Sequence, residues 1–193
     1  MSGILYGGGL GPGDPDLITV KSSRLISQAQ VIAYPSLAGG ESFARSIAAD
    51  LISPDAEEIV MDVPMTVERA PAQAAYDIGA KNIAAGLDRG EDVACLYEGD
   101  PFFYGSFMDL FARLASDYQV KVVPGVTSVT TCAARAGMPL AARNERLTVL
   151  PGPLPTEELR VRIEGAESVA IMKVGRHLSK IRAVIADLGL TDK

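Results

Sequence analysis

Strand-length apolar runs alternate with segments of helical periodicity along the whole chain, and this alternation leaves few folds open. Strands are predicted at 4–6, 31–34, 58–61, 93–97, 119–123, 146–150 and 168–173. Helices are predicted at 19–28, 41–52, 72–87, 106–114, 127–136 and 177–188, with another starting near Thr156. Thr19 or Asp16 is the expected N-cap of the first helix, and Pro35 is expected to stop the second strand. Strand and helix in turn mean βαβ units around a parallel sheet, so the chain is read as α/β.

A length of 193 residues is generous for one domain and short for two. Hydrophobic residues make up 48% and charged residues 22%, which excludes a disordered chain. The net charge of -6 argues against nucleic-acid or membrane-surface binding. No run approaches the ~20 apolar residues that span a bilayer. Met1-Ser2-Gly3-Ile4 opens directly into a strand without a basic region or cleavage site, so no signal peptide is expected and the cytoplasm is the expected location. Cys95 and Cys132 stand far apart in apolar contexts and are read as buried free thiols; with His177 the only histidine, no metal site is expected.

Two loops carry the chemistry. The first strand runs into Gly7-Gly8-Gly9-Leu10-Gly11-Pro12-Gly13-Asp14-Pro15. A dinucleotide fingerprint, G-x-G-x-x-G, fails in all three frames, because Pro12, Asp14 and Asp16 occupy the third glycine position. Tyr34-Pro35-Ser36-Leu37 stands where the ribose-binding acid belongs, and Asp14 and Asp16 would repel a phosphate at the following helix. A ligand with positive charge or hydrogen-bond donors suits this loop better. The second loop, Glu98-Gly99-Asp100-Pro101-Phe102-Phe103-Tyr104-Gly105, projects from the end of the apolar run at 93–97, the place where open α/β sheets bind ligands. Asp100 is read as an acceptor for such a ligand or as a cap for the next helix.

Four segments, in order, carry a family resemblance. They are Gly9 to Pro15 with Leu17, Thr19 and Lys21; Glu98 to Gly105; Pro124-Gly125-Val126-Thr127-Ser128; and Ala170-Ile171-Met172-Lys173-Val174-Gly175-Arg176. Together they resemble the tetrapyrrole (corrin/porphyrin) methylases, which use S-adenosylmethionine (SAM) and release S-adenosylhomocysteine. Phe103 to Met108, Pro64-Met65-Thr66 and Met172 to Arg176 are most similar to the branch that methylates precorrin-2 at C-20, giving precorrin-3A in cobalamin biosynthesis. Gly8 departs from the pattern, standing where a branched residue is more usual. The chain also stops where family members continue for some further strands, so it is expected to be a fragment.

The resemblance implies two α/β domains, 1–123 with a parallel sheet and an incomplete 124–193 with a mixed sheet. It implies a cleft between them and a homodimer. Pro12, Gly99, Asp100, Phe103, Thr127, Ser128 and Met172 would then bind SAM. Capping their own helix is the plainer role for Thr127 and Ser128. Lys173, Arg176 and Arg143, with Arg146 beside them, would meet the carboxylates of precorrin-2. A related tetrapyrrole, either cobalt-loaded or uroporphyrinogen III, is an alternative substrate, and a SAM-binding module without catalysis is a third reading. No residue declares itself as the base that completes the substitution.

Overall fold

The computed structural model describes residues 2–37, 39–64 and 69–191, so Met65 and Thr66 of the Pro64-Met65-Thr66 motif lie outside the described residues. The chain divides into two compact units, Met1–Ser128 and Val129–Lys193.

Among the described residues the first unit holds a five-stranded parallel sheet. Its strands are β1 (Leu5–Gly9), β2 (Val31–Leu37), β3 (Glu57–Val63), β4 (Val93–Tyr97) and β5 (Val120–Val123), in the order β3-β2-β4-β1-β5. The helices are α1 (Val20–Gln28), α2 (Phe43–Ile47), α3 (Arg69–Asp88) and α4 (Phe107–Leu114). Alternate strand residues point to opposite faces. Val31, Ala33, Val93, Cys95 and Tyr97 pack with Ile83 and Leu87 of α3 and Phe107 and Leu110 of α4. Ile32, Tyr34, Ala94 and Leu96 pack with Ile26 of α1 and Ala44 and Ile47 of α2. The connections after β1 and β4 therefore leave toward opposite faces. Each fully buried aliphatic side chain in these layers contributes ~1.5–3 kcal/mol.

Local chemistry sets the element ends. Thr19 caps α1, its Oγ1 accepting from Ser22 N at 3.2 Å, which resolves the choice against Asp16. Asp14 instead caps a short 3-10 turn at Pro15–Leu17. Pro35 does not stop β2. The ladder to β4 ends at Ala33 while that to β3 continues to Leu37, so at Pro35 the strand has one partner and tolerates a missing N–H as an edge strand does. The helix expected at 41–52 is five residues of α2 followed by a 3-10 turn at Ala49–Leu51.

β1 reaches through three glycines, and their environments differ. A Cβ at Gly7 would lie 2.4 Å from the Phe107 ring, which fills that space, whereas a Cβ at Gly8 would meet only the Cys95 carbonyl at 3.4 Å. Gly8→Ala is expected to raise stability by roughly 0.5–1 kcal/mol, because alanine loses less backbone entropy on folding than glycine. Gly7→Ala is expected to lower it. Urea unfolding of the two variants checks the contrast.

In the second unit, α5 (Ser128–Ala136, beginning at the last residue of the first unit) precedes β6 (Leu147–Pro151), α6 (Thr156–Glu164), β7 (Ser168–Met172) and α7 (Leu178–Asp187). β6 and β7 pair in parallel, Leu147 with Ser168 through Pro151 with Met172. Leu150, Leu159, Ile163, Ile181 and Val184 form its core. Cys95 is buried as expected, but Cys132 is exposed. It lies on α5, which buries no residue, so the apolar run there reflects helix composition and not a core.

Candidate functional site

The carboxyl ends of β4, β1 and β5 lie side by side, and glycines let their backbones interlock. Beyond β1 and β4, Gly11 and Gly99 form an antiparallel bridge, with N···O distances of 3.3 and 2.7 Å. A Cβ at Gly9 would sit 2.6 Å from the Gly125 Cα, and one at Gly125 would sit 2.0 Å from the Gly99 carbonyl oxygen. Gly99 itself has φ +64 and faces open space, with nothing within 4 Å of where its Cβ would be. Only glycine takes that conformation without strain. The result is a bare-backbone floor that opens beside Gly99.

Asp100 joins the loop to β5. Its Oδ1 accepts from Phe102 N at 2.9 Å and its Oδ2 from Gly125 N at 3.0 Å. It therefore does not cap α4, where Ser106 holds the N-cap position. Each oxygen keeps a lone pair for a further donor. Pro12 lies between Gly11 and Gly13 on the facing loop. Phe103 packs edge-on against Tyr104, while Phe102 turns onto Phe107 and Phe111. Tyr104 adopts φ 56, a conformation unusual for a side chain larger than glycine and typical of functional loops. Thr127 and Ser128 follow Gly125 at the end of the first unit.

Two groups here escaped sequence reasoning. Tyr97, the last residue of β4, is 3% exposed, and its hydroxyl has no hydrogen-bond partner among the described residues. Glu98 is exposed, and desolvation raises its pKa, partly offset by the Ala44 N–H. The available signal was an acid placed directly after five consecutive buried residues.

In the second unit, Met172 ends β7 and Lys173 follows it with φ 54. The loops after β6 and β7 are joined by Gly152 N donating to Met172 O at 2.7 Å. Arg176 and His177 lie in a 3-10 turn before α7, and Lys180 donates to Leu154 O. Desolvation, then Lys180 and Arg176, lower the His177 pKa, the mark of a locally basic surface. Arg143 is in the turn before β6, at the opposite end of the strands from Lys173. Arg146 pairs with Glu167 at 3.1 Å, so its charge is already met.

The described residues hold no group of three or more His, Cys, Asp or Glu that would bind a metal ion, and none of their helices is long and apolar enough to cross a membrane. The model of the Tetrapyrrole (Corrin/Porphyrin) Methylases matches residues 5–193. A precorrin-2 C(20)-methyltransferase from a Sinorhizobium species is 42% identical over 205 residues, spanning 100% of this chain and 84% of that relative. A cobalt-precorrin-2 C(20)-methyltransferase from Salmonella typhimurium is 32% identical over 193 residues, spanning 100% and 81%. Uroporphyrin-III C-methyl transferase from Thermus thermophilus, complexed with S-adenyl homocysteine, has TM-score 0.66 at 27% identity, over 97% of this chain and 73% of that one. With the family model running through both units and relatives matched along the whole length, the chain belongs to the tetrapyrrole (corrin/porphyrin) methylases.

Proposed function

We infer that the chain transfers a methyl group from SAM to C-20 of precorrin-2, giving precorrin-3A in cobalamin biosynthesis. The observation that carries this reading is the agreement of the entire chain with a precorrin-2 C(20)-methyltransferase. The first unit suits the donor. Its floor is backbone, its loops carry the carboxylates of Asp14, Asp16, Glu98 and Asp100, and it lacks a phosphate-binding glycine fingerprint. A cationic amino acid and ribose hydroxyls find acceptors there, whereas a pyrophosphate would meet like charge.

When bound, SAM supplies an electrophilic methyl group on a positively charged sulfur. In this reading Pro12, Gly99 and Phe103 shape the floor and wall against it, and Asp100 accepts from its ammonium or ribose. Thr127 and Ser128 add polar contacts, and in the second unit Met172 gives an apolar face for adenine. Lys173 and Arg176 take carboxylates of the macrocycle, a local positive field inside an acidic chain. Arg143 and Arg146 are given no part in it. The catalytic gain asked of these residues is alignment, which can lower a barrier by roughly 7–11 kcal/mol. A homodimer in the cytoplasm completes the proposal.

A second reading, the cobalt-loaded substrate, is favoured by the Salmonella relative. Incubation with methyl-labelled SAM separates these readings. Label in precorrin-2, with NMR locating it at C-20, is the expected result. Label only in cobalt-precorrin-2 or uroporphyrinogen III would move the substrate, and binding without transfer would leave a SAM-binding module.

A further inference from the structure

We propose that Phe43 and Leu37 form an apolar wall against which a face of the tetrapyrrole acceptor rests, with Phe43 the principal contact; this rests on the methyltransferase reading above. The wall stands where β2 outruns its neighbour. The ladder of β2 with β4 ends at Ala33, while that with β3 continues to Leu37. Residues 35–37 therefore have an open flank on the side where β4 gives way to the Glu98–Gly105 loop. The connection from there into α2 is braced from within. Ser36 and Ser42 are both buried; Ser36 donates its hydroxyl to Gly40 O and Ser42 donates to Pro35 O, each at 2.7 Å. Ser42 also caps α2, whose Ala44 and Ile47 lie in the core and whose Arg45 holds Glu58 through two N–H groups at 2.7 and 2.8 Å.

This bracing holds two apolar side chains out in water. Leu37 is 52% exposed and Phe43 57%. One exposed leucine or phenylalanine is ordinary on a protein surface. Two on a single rigid connection, at the carboxyl edge of a parallel sheet, stand where open α/β sheets bind their ligands. Phe43 also adjoins the donor floor. Its Cζ lies 3.0 Å from where a Cβ on Gly13 would be, and Gly11, two residues back along that loop, is bridged to Gly99.

The two substrates differ in what they can cover. The donor is cationic and rich in hydrogen-bonding groups, and it finds acceptors at Asp100 and along bare backbone. The acceptor is a broad ring system with apolar faces and carboxylates at its rim, so it extends past the floor on which the methyl group is delivered. Its faces match an aromatic side chain, which packs against other rings by offset stacking or edge-on. Its carboxylates gain nothing from Leu37 or Phe43 and are left to other residues.

Phe43→Ala in the full chain should raise KM for precorrin-2 about 10- to 50-fold with kcat changed less than about threefold, the pattern of a lost binding contact. S-adenosylhomocysteine affinity by calorimetry and the urea midpoint should keep their wild-type values, because the ring is exposed and the donor does not meet it. Phe43→Trp should hold KM low, since it retains an aromatic face, while Phe43→Leu should recover only part. Ile78→Ala removes another exposed apolar side chain, from α3, and should leave KM unchanged. The chain contains no tryptophan, so Phe43→Trp also carries a single reporter that does not depend on turnover. Its emission should shift to the blue when precorrin-2 shields it from water and stay in place with S-adenosylhomocysteine. A KM for Phe43→Ala within about twofold of wild type would overturn the assignment. So would a loss of S-adenosylhomocysteine affinity as large as the rise in KM, or an unshifted emission at saturating precorrin-2. A wild-type chain that methylates no tetrapyrrole would instead remove the functional reading, and this proposal with it.

Discussion

Gly125→Ala should lower the stability of the first unit by about 3–5 kcal/mol and abolish binding of S-adenosylhomocysteine. The added methyl would lie 2.0 Å from the Gly99 carbonyl oxygen, 2.9 Å from the Gly9 Cα and 3.0 Å from the Gly9 carbonyl carbon. All three neighbours are backbone, so none can swing aside as a side chain would. Relief requires β5 to part from the β1 and β4 loops, which opens the floor beside Gly99. Against the 5–15 kcal/mol that holds a typical domain together, the loss is a large share. Urea unfolding and calorimetry measure both effects. A midpoint within error of wild type would mean that the three strand ends are not locked as described.

The second large effect concerns Asp100. Asparagine is nearly the same shape, but it has one acceptor oxygen where the carboxylate has two. Its amide NH2 would face the N–H of either Phe102 or Gly125, donor against donor. Asp100→Asn should cost about 1–3 kcal/mol, and Asp100→Ala somewhat more, since both N–H groups then lose their partner. Binding of S-adenosylhomocysteine should weaken in parallel, because the loop that presents Gly99 is no longer tied to β5. A carboxylate that served the ligand alone would give the opposite pattern, with weaker binding and unchanged unfolding. The pair of measurements therefore separates a tether from a simple ligand contact.

The α/β architecture was legible because its signals are local and redundant. Val93–Tyr97 emerged with its bounds intact, being five apolar residues between turn formers. Errors arose where a partner element decides the outcome. Pro35 reads as a strand stop by itself, and only the early end of the β4 ladder makes room for it. Gly7 to Gly9 read as loop because glycine is a poor strand former, yet β4 pairs with all three and β5 with Gly7 and Gly8, holding them in the ladder. At the site, the motif order singled out the loops but not how they fit together. Asp100 reads as a ligand acceptor or a helix cap; it does not cap α4, and its oxygens also hold Phe102 N and a residue 25 positions along the chain. Glu98 heads the acidic loop that the sequence singles out, but the desolvation that raises its pKa is set by the surrounding fold, which no local pattern encodes.

The position of β1 has a consequence for how the chain is made. Among the strands of this sheet β1 comes earliest along the chain and is an inner strand, and its two neighbours begin only at Val93 and Val120. Until those segments are synthesised, Leu5–Gly9 has both edges open and β2 has only β3 beside it. The sheet therefore cannot close by sequential growth. It must wait for two long-range docking events, which slows folding relative to a fold rich in local pairs. Nascent chains released before about residue 120 should be sensitive to protease and depend on chaperones, and those carrying β5 should become resistant in one step.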